Sequence, residues 1–227
     1  MIFNLLFSGD IKDAIITLLM WLPIILLSLS LHEAAHAFLA YKLGDPTARN
    51  LGRLTLNPVK HLDPFGFLSM LLIGIGWANP VPINARNFKN PRNGMAISAL
   101  AGPVSNLLLA LVFAALGSAY LHFIVPYVIT PDNIQMLSYF YSFFFYGAYL
   151  NVSLAVFNLI PAPPFDGSRI LYIFLPAKYY FKVMKYERYI GIGIMVIFIA
   201  CSYLDIDLLG FIVEPIVSGI FLLFGIR

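Results

Sequence analysis

Leu31-His32-Glu33-Ala34-Ala35-His36 contains the H-E-x-x-H pattern. On a helix, His32 and His36 lie one turn apart on the same face and can bind one zinc ion, with Glu33 beside them to hold and activate a water. Structural zinc closes its shell with protein ligands, whereas hydrolytic zinc takes three and leaves one position for water, so hydrolysis requires a third ligand. Asp166 is the candidate. It stands in Asn158-Leu159-Ile160-Pro161-Ala162-Pro163-Pro164-Phe165-Asp166-Gly167, where the prolines predict an extended chain. Its plainer role is the N-cap of a helix over 168–175. Glu187 and Glu214 are rival carboxylates, but Glu187 stands among Lys185, Arg188 and tyrosines, as on a solvated face, and Glu214 is expected towards the opposite side of a membrane. His61 and His122 read as loop or helix-end residues rather than ligands. Four histidines in all are too few for a histidine-rich di-iron site, and no second His at matching depth would complete a haem.

The elements that must position this cluster are membrane helices. Hydrophobic residues make up 60% of the 227 residues and charged residues 11%, with a mean hydropathy of +0.86. A soluble domain carries roughly 25% charged residues, so a soluble enzyme, a nucleic-acid reader and a disordered linker are excluded. Apolar stretches at about 14–41, 95–121, 134–160, 189–204 and 208–224 predict an all-α integral membrane protein, a multi-helix transmembrane bundle of about five spans forming one domain over 1–227. Glu214 and Pro215 make the last stretch either spanning or re-entrant. If the first helix runs to Lys42, the histidines are submerged by roughly 9–15 Å, a depth at which ionisable residues are functional by default. The plainer alternative ends that helix near Leu31 and leaves two surface histidines; the apolar pattern of 37–43 weighs against it.

Charge orients the bundle. Twelve of the 14 Lys and Arg lie in 42–92 and 169–188, and the positive-inside rule puts both segments in the cytoplasm. The segment 122–133, without Lys or Arg, then lies outside, together with Asp205 and Asp207. The net charge of +3 thus reflects topology, not affinity for nucleic acid. A signal peptide is a poor reading of the first apolar run, which is too long and has a weak basic flank. The single cysteine, Cys201, allows no internal disulfide and reads as a packed thiol. Between the first two spans, 47–56 alternates like a strand around Gly52. The apolar run in 65–83 is too short to span and ends at Gly74, Gly76, Pro80 and Pro82. Together they predict a small membrane-associated re-entrant β segment over about 47–83.

Three motifs in this order, His32-Glu33-x-x-His36, Gly102-Pro103-x-x-Asn106 and Asn158-x-x-Pro161-x-Pro163-Pro164-x-Asp166-Gly167, resemble the site-2 protease family of intramembrane zinc metalloproteases over about 14–175. The resemblance implies one zinc ion per chain bound by His32, His36 and Asp166, with Glu33 as catalytic base. It also implies an active site open to the cytoplasm and a β-structure near the substrate in 47–83. Asn158 and Asn106 match motif positions and are expected to bind substrate or its oxyanion; the plainer role of Asn106 is hydrogen bonding between helices. Unlike larger members, the chain has no PDZ-like insertion, since only 122–133 join the second and third helices. The implied activity is hydrolysis of peptide bonds within or near the transmembrane segments of membrane proteins, in a multi-pass protein of the cell membrane. A substrate helix would have to unwind locally, and an edge strand in 47–83 could pair with it. The implied partners are a transmembrane protein substrate and the lipid bilayer, with a homo-oligomer or a regulatory membrane protein left open and nucleic acid excluded. Two alternatives remain: a transporter or channel that moves protons or metal ions through the His/Glu cluster, and a zinc peptidase of another family using Glu187.

Overall fold

The computed structural model describes residues 11–73, 78–204 and 206–226. Among them the chain is helical, with one isolated antiparallel bridge, Leu62 to Ala78, in place of a sheet. The helices are α1 (Ile11–Lys42), α2 (Thr47–Asn50), α3 (Pro64–Ile73), α4 (Pro91–Phe123), α5 (Val125–Val128), α6 (Ile134–Asn158), α7 (Asp166–Ile170), α8 (Ala177–Met184), α9 (Glu187–Tyr203) and α10 (Gly210–Leu223). Three segments are long and apolar enough to cross a membrane: Ile15–Lys42, Pro91–Val128 and Ile134–Asn158. This corrects the expected five. At 1.5 Å per residue, the 17 residues of α9 and the 14 of α10 fall short of the about 20 residues that a hydrocarbon core of about 30 Å requires. Asp205, expected outside the membrane, lies beyond the described residues.

The three long helices form the frame of the site. Helix α4 packs between α1 and α6. Contacts of Trp21 with Tyr146 and of Ser28 with Asn151 show α1 and α6 running in parallel. Helix α4 is antiparallel to both, pairing Ser98 with His36 and Asn106 with His32 and Asn151. Small residues permit the close approach: Gly102 and Ala99 on α4, Gly147 and Ala148 on α6 are buried. A Cβ on Gly147 would come within 2.4 Å of the Phe113 ring. Towards the other end, α10 closes the core by seating Val213, Val217 and Phe221 against Phe113, Ala114 and Val152.

The expected β segment is not present among the described residues. Its first half is a helical turn, α2, closed by a paired C-terminal hydrogen-bond pattern: Gly52 N–H donates to Arg49 O and Arg53 N–H to Ala48 O. Gly52 has φ 66°, the left-handed conformation that a residue just beyond a helix end adopts in this motif. The glycine that seemed to interrupt a strand therefore stops a helix. Helix α1 ends in the same way at Gly44, φ 109°, with Gly44 N–H on Tyr41 O and Asp45 N–H on Ala40 O. Within the second half Pro64–Ile73 form α3, whose first residue follows Asp63; the Asp63 carboxylate accepts from Gly66 N–H at 2.8 Å, an Asp-Pro helix start, and at 10 residues α3 is too short to span. Gly74 and Gly76 lie outside the described residues.

Candidate metal centre

Each helix brings one row of residues, four apart, to the same place: Ser28, His32 and His36 on α1, Ser98, Gly102 and Asn106 on α4, Gly147 and Asn151 on α6. The plainer alternative for the histidines fails, because α1 continues through them to Lys42 and both are buried. Asp166 arrives from the third helix's end. After Leu159 the chain turns through Pro161, Pro163 and Pro164, with the Pro163–Pro164 peptide cis, and Phe165 starts α7 as its N-cap. Asp166 is thus the first residue of α7 and not its cap. Gly167 follows because a Cβ there would lie 2.4 Å from the carbonyl oxygens of Leu159 and Ile160.

The three side chains meet at their ligand atoms. His36 Nε2 lies 3.0 Å from His32 Nε2, and Asp166 Oδ2 is 3.2 Å from His32 Nε2 and 3.1 Å from His36 Nε2. The other ring nitrogens are spoken for. His36 Nδ1 donates to the Ser98 carbonyl at 2.7 Å, and His32 Nδ1 lies 2.6 Å from Asn106 Oδ1. A relay fixes which way Asn106 points. Asn151 Nδ2 donates to the Gly147 carbonyl at 2.8 Å and to Ser28 Oγ at 2.9 Å. Its Oδ1 therefore accepts from Asn106 Nδ2 at 2.8 Å, which turns Asn106 Oδ1 towards His32 as an acceptor. Both histidines then carry their proton on Nδ1 and point an Nε2 lone pair at the carboxylate.

Three electron-pair donors converging in a buried site repel one another unless a cation joins them. Zinc bonds of about 2.0–2.1 Å in a tetrahedral shell place ligand atoms about 3.3 Å apart, close to the 3.0–3.2 Å observed. The donor set of two neutral imidazoles and one carboxylate also fits zinc. Among the described residues no other group of three His, Cys, Asp or Glu converges in this way. Glu187, at the start of α9, and the exposed Glu214 of α10 are not part of it.

Glu33, buried beside the cluster, accepts from the backbone N–H of Val81 at 2.9 Å. Asn106 is wholly buried with both polar atoms bonded to protein groups, a geometry that orients the His32 ring. Asn158 is half-buried, and its Nδ2 donates to the Leu154 carbonyl of its own helix at 2.9 Å. His61 is buried with Nε2 on the Thr55 carbonyl at 2.8 Å. Sequence reasoning missed Ser28 and Asn151; their signal was polarity within apolar spans, which marks residues held by partners in a membrane interior. Gly102 fits this scheme, since a Cβ there would lie 2.4 Å from His36 Nε2 and 2.5 Å from His32 Cε1. Beside the metal helix runs an open apolar groove between Leu31, Ala34 and Phe38 on one side and Leu54–Leu56 on the other.

The model of the family described as peptidase family M50 matches residues 20–201. Among curated proteins, the chain is 42% identical over 179 residues to "Putative zinc metalloprotease YwhC" of Bacillus subtilis, covering 77% of this chain and 78% of that one. It is 33% identical over 147 residues to "Putative zinc metalloprotease Rip2" of Mycolicibacterium smegmatis, covering 63% of this chain and 52% of that one. With "Zinc metalloprotease MJ0392" of Methanocaldococcus jannaschii it shares 26% identity over 203 residues, 89% of this chain and 47% of the other. The chain thus spans about half the length of the last two relatives. No solved structure gives a significant match.

Proposed function

The chain belongs to peptidase family M50, and on that premise we propose that it is a membrane-embedded zinc metalloprotease that hydrolyses peptide bonds within or near transmembrane segments of other membrane proteins. The observation that carries the reading is the convergence of His32 Nε2, His36 Nε2 and Asp166 Oδ2 within the membrane-length frame of α1, α4 and α6. In this proposal His32, His36 and Asp166 hold one zinc ion, and the site opens to the cytoplasm, where the basic segments 42–92 and 169–188 lie. When bound, zinc supplies a Lewis acid that acidifies a water and polarises the peptide carbonyl.

The residues do the rest. Glu33 accepts a proton from the attacking water and returns it to the departing amine, a transfer worth about 10²–10⁴-fold. Asn106 and the Ser98 carbonyl keep the imidazoles in the tautomer that presents Nε2. Asn158 ends α6, just before the turn that leads to Asp166; released from the Leu154 carbonyl, its amide can donate to substrate backbone or to the oxyanion. An unwound substrate segment rests in the apolar groove beside Ala34 and Leu54. With no strand among the described residues, that segment is held by side-chain packing in the groove rather than by strand addition.

Replacing Glu33 by Gln tests the proposal. About one zinc ion per chain should remain, measured by metal analysis, while cleavage of a single-span membrane substrate in proteoliposomes falls by about 10³-fold or more. Unaltered cleavage overturns the enzymatic role of Glu33. Zinc content in Asp166→Ala and Glu187→Ala separates the ligand candidates, with loss expected only for Asp166→Ala.

A further inference from the structure

Glu33 differs from the histidines in that its hydrogen-bond partner is not in the helical bundle. Its partner is the backbone of a loop 48 residues further along, the Val81 N–H at 2.9 Å. In Asn79-Pro80-Val81-Pro82-Ile83 the two prolines carry no N–H. Val81 therefore supplies the only backbone donor between Asn79 and Ile83, and the fold directs it at this carboxylate.

The hydrogen bonds on either side hold this stretch in place. Asn79 N–H donates to the His61 carbonyl at 2.7 Å. The Arg53 guanidinium donates to the Asn79 carbonyl and, at 3.3 Å, to the Pro80 carbonyl. Beyond Val81, Asn84 N–H and Asn87 Nδ2 both reach the buried Asp45 carboxylate, at 2.7 and 2.6 Å. The Val81 side chain packs on Ala37 and Ala48, with Leu54 and Ile83 around it. Ala37 stands one turn after Glu33 on the same face of α1, so seating Val81 there sets the register that brings its N–H to Glu33. Arg53 in turn is aimed by the left-handed Gly52 that ends α2.

We infer that residues 78–87 form a strap that fixes the Glu33 carboxylate through the Val81 N–H, and that Arg53 is a positioning residue for this base. The inference rests on Glu33 being the base. A free glutamate side chain samples several rotamers, and ordering it costs entropy at each turnover. The strap meets that cost during folding: Oε2 is held by a charge-assisted hydrogen bond, and the other oxygen is left for the proton of the attacking water. A displacement of about 1 Å in such a group costs about 10²-fold in rate.

The test uses the full-length protein in detergent with three changes: Arg53→Ala, Arg53→Lys, and replacement of the Val81 amide by an ester through the corresponding α-hydroxy acid. Hydrogen exchange at Val81, the single exchangeable backbone N–H between the two prolines, reads the strap without any substrate. Turnover of casein, as a general peptidase probe, gives kcat and KM. Arg53→Ala should speed exchange at Val81 about tenfold or more and leave zinc content unchanged. Its kcat should fall about 10–100-fold while KM stays within about twofold, with partial recovery in Arg53→Lys. The ester, which removes the N–H and leaves every side chain in place, should lower kcat to a similar degree and keeps the test decisive if Arg53→Ala does not fold. Normal kcat in the ester variant, or a loss confined to KM, overturns the inference. If wild-type protein leaves casein intact while Glu33→Ala, which removes the acceptor, and Arg53→Ala both release the Val81 amide, the strap stands and the peptidase reading is what fails.

Discussion

The two sides of this site are built differently. On the ligand side, His32 and His36 are held by a side chain and a carbonyl from α4, backed by Asn151 of α6. On the base side, Glu33 is held by one backbone N–H from a loop tied down by Arg53 and Asp45. A metal cage tolerates little change in the spacing of its ligands, and rigid helices crossing a membrane provide that spacing. Under the proposed function Glu33 receives and returns a proton, and it must stay aligned while a substrate enters beside it. A loop pinned at both ends serves this, because it has few contacts to break next to an open groove.

If that division is right, changes on the two sides have different signatures. The largest effect on zinc is expected from Gly102→Ala, whose Cβ would overlap both rings at 2.4–2.5 Å. Stoichiometric zinc should be lost, measured by metal analysis after dialysis, although α4 itself gains helix propensity. Asn106→Ala should follow, weakening zinc affinity about 10–100-fold by freeing the His32 ring, as measured by competition with a chelator. Asn151→Ala acts one hydrogen bond further away and should cost less, about threefold to tenfold in the same assay.

The smallest effect on zinc is expected on the base side. Asp45→Asn should leave zinc content unchanged yet lower thermal stability by about 1–3 kcal/mol, since it disturbs a buried acceptor of several donors. Burial opposes the Asp45 charge, but donors from Thr47, Asn87 and Asn84 outweigh it and hold the carboxyl below its ordinary value. A depressed carboxyl stabilises the fold above its unfolded pKa, about 3.9, and that contribution is lost as pH falls through the lower folded value. The contribution of Asp45 to the strap should therefore be constant between about pH 5 and 8 and be lost only in acid, read as the difference in exchange at Val81 between wild type and the Asn variant. Equal zinc loss in Asp45→Asn and Asn106→Ala would mean that the two sides are one cooperative unit.

Much of the ligand side was legible in the residues. His32, Glu33 and His36 announce themselves by a helical spacing inside an apolar run, and Asp166 by a proline-rich break in the chain. The strap side was misread because its signals are local and ambiguous. The alternation of 47–56 suits a strand, but Pro46, the Asp45 bonds to Thr47 and the left-handed Gly52 close it into a helical turn. Pro80 and Pro82 were visible only as breakers; that they single out one N–H acquires meaning from where Glu33 lies. The count of spans failed for a related reason, as apolar runs near 189–204 and 208–224 form helices of 17 and 14 residues, below membrane length.

By itself the sequence determined that this is a membrane protein with a zinc-type helix and three candidate carboxylates, because composition and helical periodicity act over short range. Which carboxylate meets the histidines, which amide fixes the His32 tautomer and which backbone N–H meets Glu33 were decided by tertiary structure alone. Those contacts join residues 134, 74 and 48 positions apart. No local pattern encodes them: they exist because α4 packs antiparallel between α1 and α6 and sets all three rows of residues at one depth.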